Sequence, residues 1–266
     1  MVKKSVRVLS WNIDRNESDI SLRFDNIIKV IIDSDADIVC LQENIKSPEH
    51  DVSSALVSSH GYTLVGSSEN DAYLLVRGQS SFKRIINEET DSYLTSGFVT
   101  IFDQTFLVAS AHLTWGTGKE NIRLGEVIAI EKLYLQYTEL DPFRTENRTI
   151  GILCGDLNTE PDSASIRFLK GLGVENNMST MWTDSWVLGN GPGITSSSKN
   201  VLAKRTATSV GLKSGNLPER RIDYVMVRGF AYSRPGEILS SKLVGDRNTL
   251  ESACSDHYGI LAEIQL

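Results

Sequence analysis

Six polar clusters punctuate this chain, most of them where a short apolar run stops. Residues 6–10 lead into Trp11-Asn12-Ile13-Asp14, and residues 37–41 into Gln42-Glu43. Residues 106–110 lead into Ala111-His112-Leu113, and residues 150–154 into Gly155-Asp156-Leu157-Asn158. Near the C-terminus stand Arg221-Ile222-Asp223-Tyr224 and Ser255-Asp256-His257-Tyr258. An apolar run of this length with polar ends reads as a buried strand. Polar groups at strand ends gather on one edge of a sheet, where α/β folds keep their sites. Because the clusters span Asn12 to His257, one site draws on nearly the whole sequence. A single domain over 1–266 is the expectation, with enough chain to bury a sizeable core.

The periodicity between the clusters agrees. Phe24, Ile27, Ile28, Ile31 and Ile32 fall on one helical face between the strand ending near Ser10 and the strand 38–41. That βαβ-like unit brings Asn12, Asp14 and Glu43 together. Residues 97–110 read as a hairpin turning at Asp103-Gln104. Residues 120–137 have helical spacing, with Arg123 in the first turn. A further helix is predicted from Asp162 to Leu169, and strands over 225–227 and 258–266. Residues 189–220 stand apart as a long Gly-, Ser- and Thr-rich stretch. With Arg221 it holds Lys199, Lys204, Arg205, Lys213 and Arg220 against one acid, Glu219. Long irregular stretches tend to be functional or mobile, so it reads either as a substrate-facing loop or as a solvated one.

Composition narrows the function. The net charge of -7 disfavours a protein that grips duplex nucleic acid through its phosphates. It does not exclude nucleic acid, since carboxylates around a metal look acidic until the ion is counted. Cys40, Cys154 and Cys254 show no paired spacing and read as small buried residues of a reducing cytoplasm. No run approaches the roughly 18 apolar residues of a membrane span, and the N-terminus lacks a signal-peptide core. The expected location is cytoplasmic.

The cluster residues suit phosphoester hydrolysis, which needs neutralised phosphoryl oxygens, an aimed water and a stabilised leaving group. Glu43, Asn12 and Asp14 are oxygen donors for Mg²⁺, although an Asp in a post-strand turn also commonly caps backbone amides. Gly155 reads as permitting a tight turn that points Asp156 and Asn158 into one cavity, to orient or deprotonate water. Asp223 is the natural partner of His257, leaving Asp256 to face the metal. His112 and His257 as cations would stabilise charge in the transition state. Arg123 is either a phosphate contact or a helix-surface cation. Motifs for serine hydrolases, P-loops and zinc are missing.

Taken together, the motifs resemble the endonuclease/exonuclease/phosphatase (DNase I-like) superfamily over residues 6–266. The resemblance implies a four-layered α/β sandwich, two mixed β-sheets face to face with helices outside. It also implies catalysis by Mg²⁺, with Mn²⁺ a substitute, and inversion by water. By position, Glu43 matches the family's metal-binding Glu, Asp156 and Asn158 the water-orienting pair, and His257 with Asp223 the His-Asp dyad. Asp256 matches an Asp of the metal shell or phosphate site, Asn12 the strand-end Asn, and His112 the histidine of the phosphodiesterase branches. Trp11-Asn12-Ile13-Asp14 and Ser255-Asp256-His257-Tyr258-Gly259 are most similar to the tyrosyl-DNA 5′-phosphodiesterase-like branch, with Arg15 where that signature carries glycine. A phosphodiesterase acting on DNA or RNA ends is therefore expected, with Lys204 and Arg205 as substrate contacts. A phosphatase or phosphodiesterase for phospholipid headgroups or inositol and sugar phosphates is the alternative enzyme. A silent binding module is the non-enzymatic one.

Overall fold

This computed structural model describes residues 5–266 apart from 17–19, 48, 79, 139–148, 210–216, 230, 232–233, 248 and 250. Two six-stranded sheets pack face to face. The first comprises β1 (Ser5–Asn12), β2 (Ile38–Gln42), β3 (Tyr62–Ser67), β4 (Ala72–Arg77), β11 (Ile238–Val244) and β12 (Gly259–Gln265), in the order β11-β12-β1-β2-β4-β3. The second comprises β5 (Ser81–Ile85), β6 (Leu94–Ile101), β7 (Gln104–His112), β8 (Ile150–Asp156), β9 (Trp182–Asp184) and β10 (Asp223–Arg228), in the order β5-β6-β7-β8-β10-β9. Each sheet has one parallel pair, β1/β2 and β7/β8, among antiparallel neighbours.

Helices cover the outer faces. Ile27 and Ile31 of α1 (Ile20–Ser34) and Leu56 of α2 (Val52–Ser59) bury against Leu9, Leu41 and Leu75 of the first sheet. Val127 and Leu133 of α3 (Glu120–Leu135) and Ile166 of α4 (Ala164–Leu169) do the same on the second, against Leu107 and Leu153. Among the described residues no helix is long and apolar enough to cross a membrane. Cys40, Cys154 and Cys254 are free and buried.

The pleat positions the site. Side chains alternate between the two faces of a strand. The inward series are Val6-Val8-Ser10-Asn12 in β1, Ile38-Cys40-Gln42 in β2, Phe106-Val108-Ser110-His112 in β7, and Ile152-Cys154-Asp156 in β8. Their apolar members form the core between the sheets. Above them Gln42 Nε2 donates to Ser110 Oγ at 3.1 Å, a polar layer joining the two sheets. Three of the four series end on a site residue, Asn12, His112 and Asp156, and the fourth ends on Gln42, just before Glu43. A one-residue slip of register would turn all of these to the wrong face.

Three expectations change. The buried stripe of α1 is centred on Arg23, Ile27 and Ile31, with Phe24, Ile28 and Ile32 at its margin, so a guanidinium lies within it. The hairpin turns one residue early, at Phe102-Asp103, between β6 and β7. Within the stretch 189–220 the described residues include α5 (Val201–Ser209), and Ser196 bridges both Arg220 and His257. Thr195, Ser197 and Asn200 are buried there, so this part is no solvated loop. Lys213 lies outside the described residues.

Candidate active site

Strand register brings five of the clusters to one edge. His112 pairs with Asp156 across β7/β8, Asp156 with Asp223 across β8/β10, and Asn12 with Gln42 across β1/β2. Asn12 then joins the sheets: its Nδ2 donates to Glu43 Oε1 and to Asp156 Oδ2, each at 3.1 Å. Glu43 directly follows inward-facing Gln42, so strict alternation would send it outward. Its left-handed backbone, with φ 53°, breaks the alternation and returns the carboxylate to the cleft. Asp14 and Asn158 are also left-handed, at φ 53° and 52°. Such strain collects at functional sites, where the surrounding structure enforces it.

Gly155 serves a different end from the expected turn. It lies within β8, and a Cβ there would come within 2.0 Å of the Ala111 carbonyl oxygen. Only glycine lets β8 approach β7 closely enough to set Asp156 beside His112. Asp156 is then held from two sides, Oδ1 accepting from the Asn158 amide at 2.9 Å and Oδ2 from Asn12. Asn158 Nδ2 is itself tied to the Leu113 carbonyl at 3.1 Å.

The two histidines are fixed differently. His112 Nδ1 lies 2.9 Å from the Asn70 carbonyl oxygen, which can only accept, so Nδ1 carries the proton. Its Nε2 faces Glu43 Oε1 at 3.7 Å and Asp156 Oδ2 at 3.9 Å. His257 Nδ1 donates to Asp223 Oδ2 at 2.9 Å. Burial works against a charge on this ring, but the neighbouring carboxylates, Asp223 foremost and then Asp156 and Asp256, outweigh it. They hold His257 well above the usual histidine range.

A few surrounding residues lock the geometry. The Trp11 indole donates to the His257 carbonyl at 3.0 Å, and a Cβ at Gly259 would come within 2.9 Å of that indole. The tryptophan of the first cluster and the glycine of the last are thus one fitted contact. Ser255 Oγ donates to the Asn12 carbonyl at 2.7 Å. Fully buried Arg23 donates to the carbonyls of Ile13, Asp14, Asn16 and Cys254 and pairs with Asp14 at 3.4 Å.

The donor set suits a hard divalent cation. Asn12, Asp14, Glu43, Asp156 and Asp256 offer only oxygens. Burial and the Asp256 charge push Asp14 up to about 7, against the pull of Arg23 and the Asn16 amide. A carboxylate raised in this way is short of positive charge nearby. Asp156, Asp223 and His257 also bring ligand-capable atoms within 4.8 Å of one another. There Asp223 already accepts from His257 Nδ1 at 2.9 Å.

Other expectations resolve unevenly. Arg123 is no helix-surface cation: it is buried, with Nη1 donating to the Thr114 and Gly116 carbonyls at 2.9 and 3.0 Å and Nε to Glu120 at 3.0 Å. A helix N-terminus needs a partner for the loop that enters it, and Arg123 fills that need. Arg221 is likewise committed, to Asp184 at 2.6 Å. Lys204 and Arg205 are exposed on α5, whose preceding Asn200 is bonded to the Ser255 carbonyl at 2.9 Å. Sequence reasoning missed Asn70 and the cluster in which Asp71 binds Arg15 at 3.0 Å and Lys46 at 2.5 Å, with Arg15 Nε 3.9 Å from Glu43. The Asn70-Asp71 pair precedes β4 without an apolar run before it, which is why no signal was visible.

Comparison with known proteins agrees with this geometry. The model of the Endonuclease/Exonuclease/phosphatase family matches residues 9–257. Similar solved structures include D. rerio TDP2 complexed with a single-strand DNA product, with TM-score 0.72 and 18% identity over 99% of this chain and 100% of that one. The human Nocturnin catalytic domain with a bound sulfate has TM-score 0.66 and 17% identity over 98% and 93%. A family protein from Bacteroides vulgatus has TM-score 0.65 and 16% identity over 99% and 100%. At these identities the likeness shows a shared fold, and the TDP2 structures agree with the motif resemblance. No curated protein sequence matches the chain. The chain belongs to the endonuclease/exonuclease/phosphatase family, whose members are metal-dependent hydrolases of phosphoester bonds.

Proposed function

We propose that the protein is a Mg²⁺-dependent phosphodiesterase that hydrolyses nucleic-acid ends or related phosphodiesters by in-line attack of water. The observation that carries this reading is the bridge of Asn12 from Glu43 to Asp156, with His112 and His257 on either side of Asp156. Glu43, Asn12, Asp14 and Asp256 would hold the cation, which when bound supplies Lewis acidity and charge neutralisation. Asp156, fixed by Asn158 and Asn12, orients the attacking water and takes its proton as the new P–O bond forms, while the opposite P–O bond breaks and the leaving oxygen departs with its electron pair and is protonated from solvent. His257, kept protonated by Asp223, donates to a phosphoryl oxygen from its other nitrogen. A doubly protonated His112 would donate to the same group from Nε2. Both gain strength as charge accumulates in the transition state. Lys204 and Arg205 offer charge for a flanking phosphate.

Hydrolysis of bis-p-nitrophenyl phosphate with Mg²⁺ tests the chemistry, with loss expected on chelation and in Asp156→Ala and His257→Ala. A panel of 5′-tyrosyl DNA, single-stranded DNA, RNA, sphingomyelin and inositol phosphates tests the substrate. Turnover confined to the last two would replace nucleic-acid ends with headgroups. A wild-type protein inert across every phosphoester class would return the binding-module reading.

A further inference from the structure

Trp115 differs from the other three tryptophans. Trp11, Trp182 and Trp186 are buried, each with its indole N–H bonded inside the protein. Trp115 is 75% exposed, on the loop between β7 and α3. It follows His112 by three residues, so the two Cα atoms lie within about 11 Å.

A lone exposed apolar residue is ordinary. What marks this one is that its backbone is braced on both sides. Before it, Leu113 is fully buried, and its carbonyl accepts from Asn158 Nδ2 of the site. The Thr114 amide and hydroxyl both donate to the Glu126 carboxylate, at 3.1 and 2.6 Å. Arg123 then holds the carbonyls of Thr114 and Gly116, one on each side of Trp115. Gly116 at φ 110° turns the chain away immediately afterwards. Three side chains, those of Asn158, Glu126 and Arg123, thus order the loop while its largest side chain is left exposed. A rigidly presented indole loses little entropy on binding a flat partner.

We propose that Trp115 is a stacking platform for a nucleobase adjacent to the scissile phosphate. The inference rests on the phosphodiesterase reading and sharpens its substrate to an unpaired or terminal nucleotide. A base inside a duplex has both faces covered, and only a splayed or single-stranded one offers a free face. Stacking also adds affinity beyond phosphate contacts, which suits a chain of net charge -7. Phospholipid headgroups and inositol phosphates have no flat ring to place on the indole.

The test has a kinetic and an optical arm. Trp115→Ala is expected to raise KM for a single-stranded oligonucleotide about 10-fold or more, with Trp115→Phe close to wild type. On the same strand with abasic sugars flanking the scissile phosphate, wild type and Trp115→Ala should have equal KM. Optically, Trp115 is the iodide-accessible indole among the four. The oligonucleotide in excess EDTA should quench that fluorescence in wild type and leave it unquenched in Trp115→Ala. An unchanged KM in Trp115→Ala overturns the proposal, as does an equal loss on the abasic strand. A fluorescence response to phosphatidylcholine vesicles but not to the oligonucleotide overturns it too, in favour of a membrane. If wild type cleaves no phosphoester, the phosphodiesterase reading fails by itself, and the quenching arm still decides the platform.

Discussion

Asn12 Nδ2 donates to Asp156 Oδ2 at 3.1 Å, joining β1 of one sheet to β8 of the other across 144 residues of sequence. The same amide donates to Glu43. One side chain therefore sets the spacing between the residue proposed to hold the cation and the residue proposed to aim the water.

Asn12→Ala should lower kcat about 100-fold, because errors near 1 Å between reacting groups cost that much. Steady-state kinetics on bis-p-nitrophenyl phosphate measures it, beside a thermal melt to confirm folding. A kcat within threefold of wild type would remove Asn12 from the site's architecture.

Glu43→Gln keeps the size of the side chain but removes the charge that a divalent cation needs. The Mg²⁺ concentration for half-maximal activity should rise at least about 10-fold, with activity partly restored at saturation. A Mg²⁺ titration of rate reads this directly. An unchanged midpoint would place the cation elsewhere, with the Asp156, Asp223 and His257 group next to be considered.

The dyad has a signed pH dependence. His257 is held above its unfolded value near 6.5, so its ion pair with Asp223 contributes fully below that pH. The contribution is lost as pH rises through the raised folded value. The rate should follow the protonated ring and fall on the alkaline side. Asp223→Asn removes the main carboxylate holding the proton and should move that alkaline limb to lower pH. A pH profile of kcat/KM decides it; an unmoved limb would mean that another group sets it.

Away from the site, Arg228 and Glu131 form a fully buried pair at 2.6 Å, with the Trp182 indole donating to the same carboxylate at 2.9 Å. Arg228→Met leaves Glu131 without its cation and should destabilise the fold by about 3–5 kcal/mol in urea unfolding. Adding Glu131→Gln should recover part of that loss. If the double variant is no better than the single one, the charge left behind is not the cause.

Much of the catalytic edge was legible because strand-end chemistry is local. A run such as 150–154 followed by Gly155-Asp156 announces both a buried strand and the residue it delivers. What the sequence concealed lay in charges that point inward. Arg23 looks like a helix-surface residue but is buried to hold carbonyls 7 and 231 positions away. Arg123 could pass for a helix-surface cation but braces a loop. Whether a cation faces solvent, substrate or carbonyls depends on which face of its helix meets the sheet, and a tilt of α1 by one residue position altered that. Asn70 and Trp115 were hidden for another reason: no periodic element delivers them.

The sequence by itself determined the kind of chemistry, through the residues that end its apolar runs, and pointed to the two-sheet architecture only through the family resemblance of those motifs. Only the tertiary structure decided the pairings, from Asn12 across to Asp156 to Arg23 beneath Asp14 and the braced, exposed Trp115. Those depend on the packing of sheet on sheet and of helix on sheet, which no local pattern encodes.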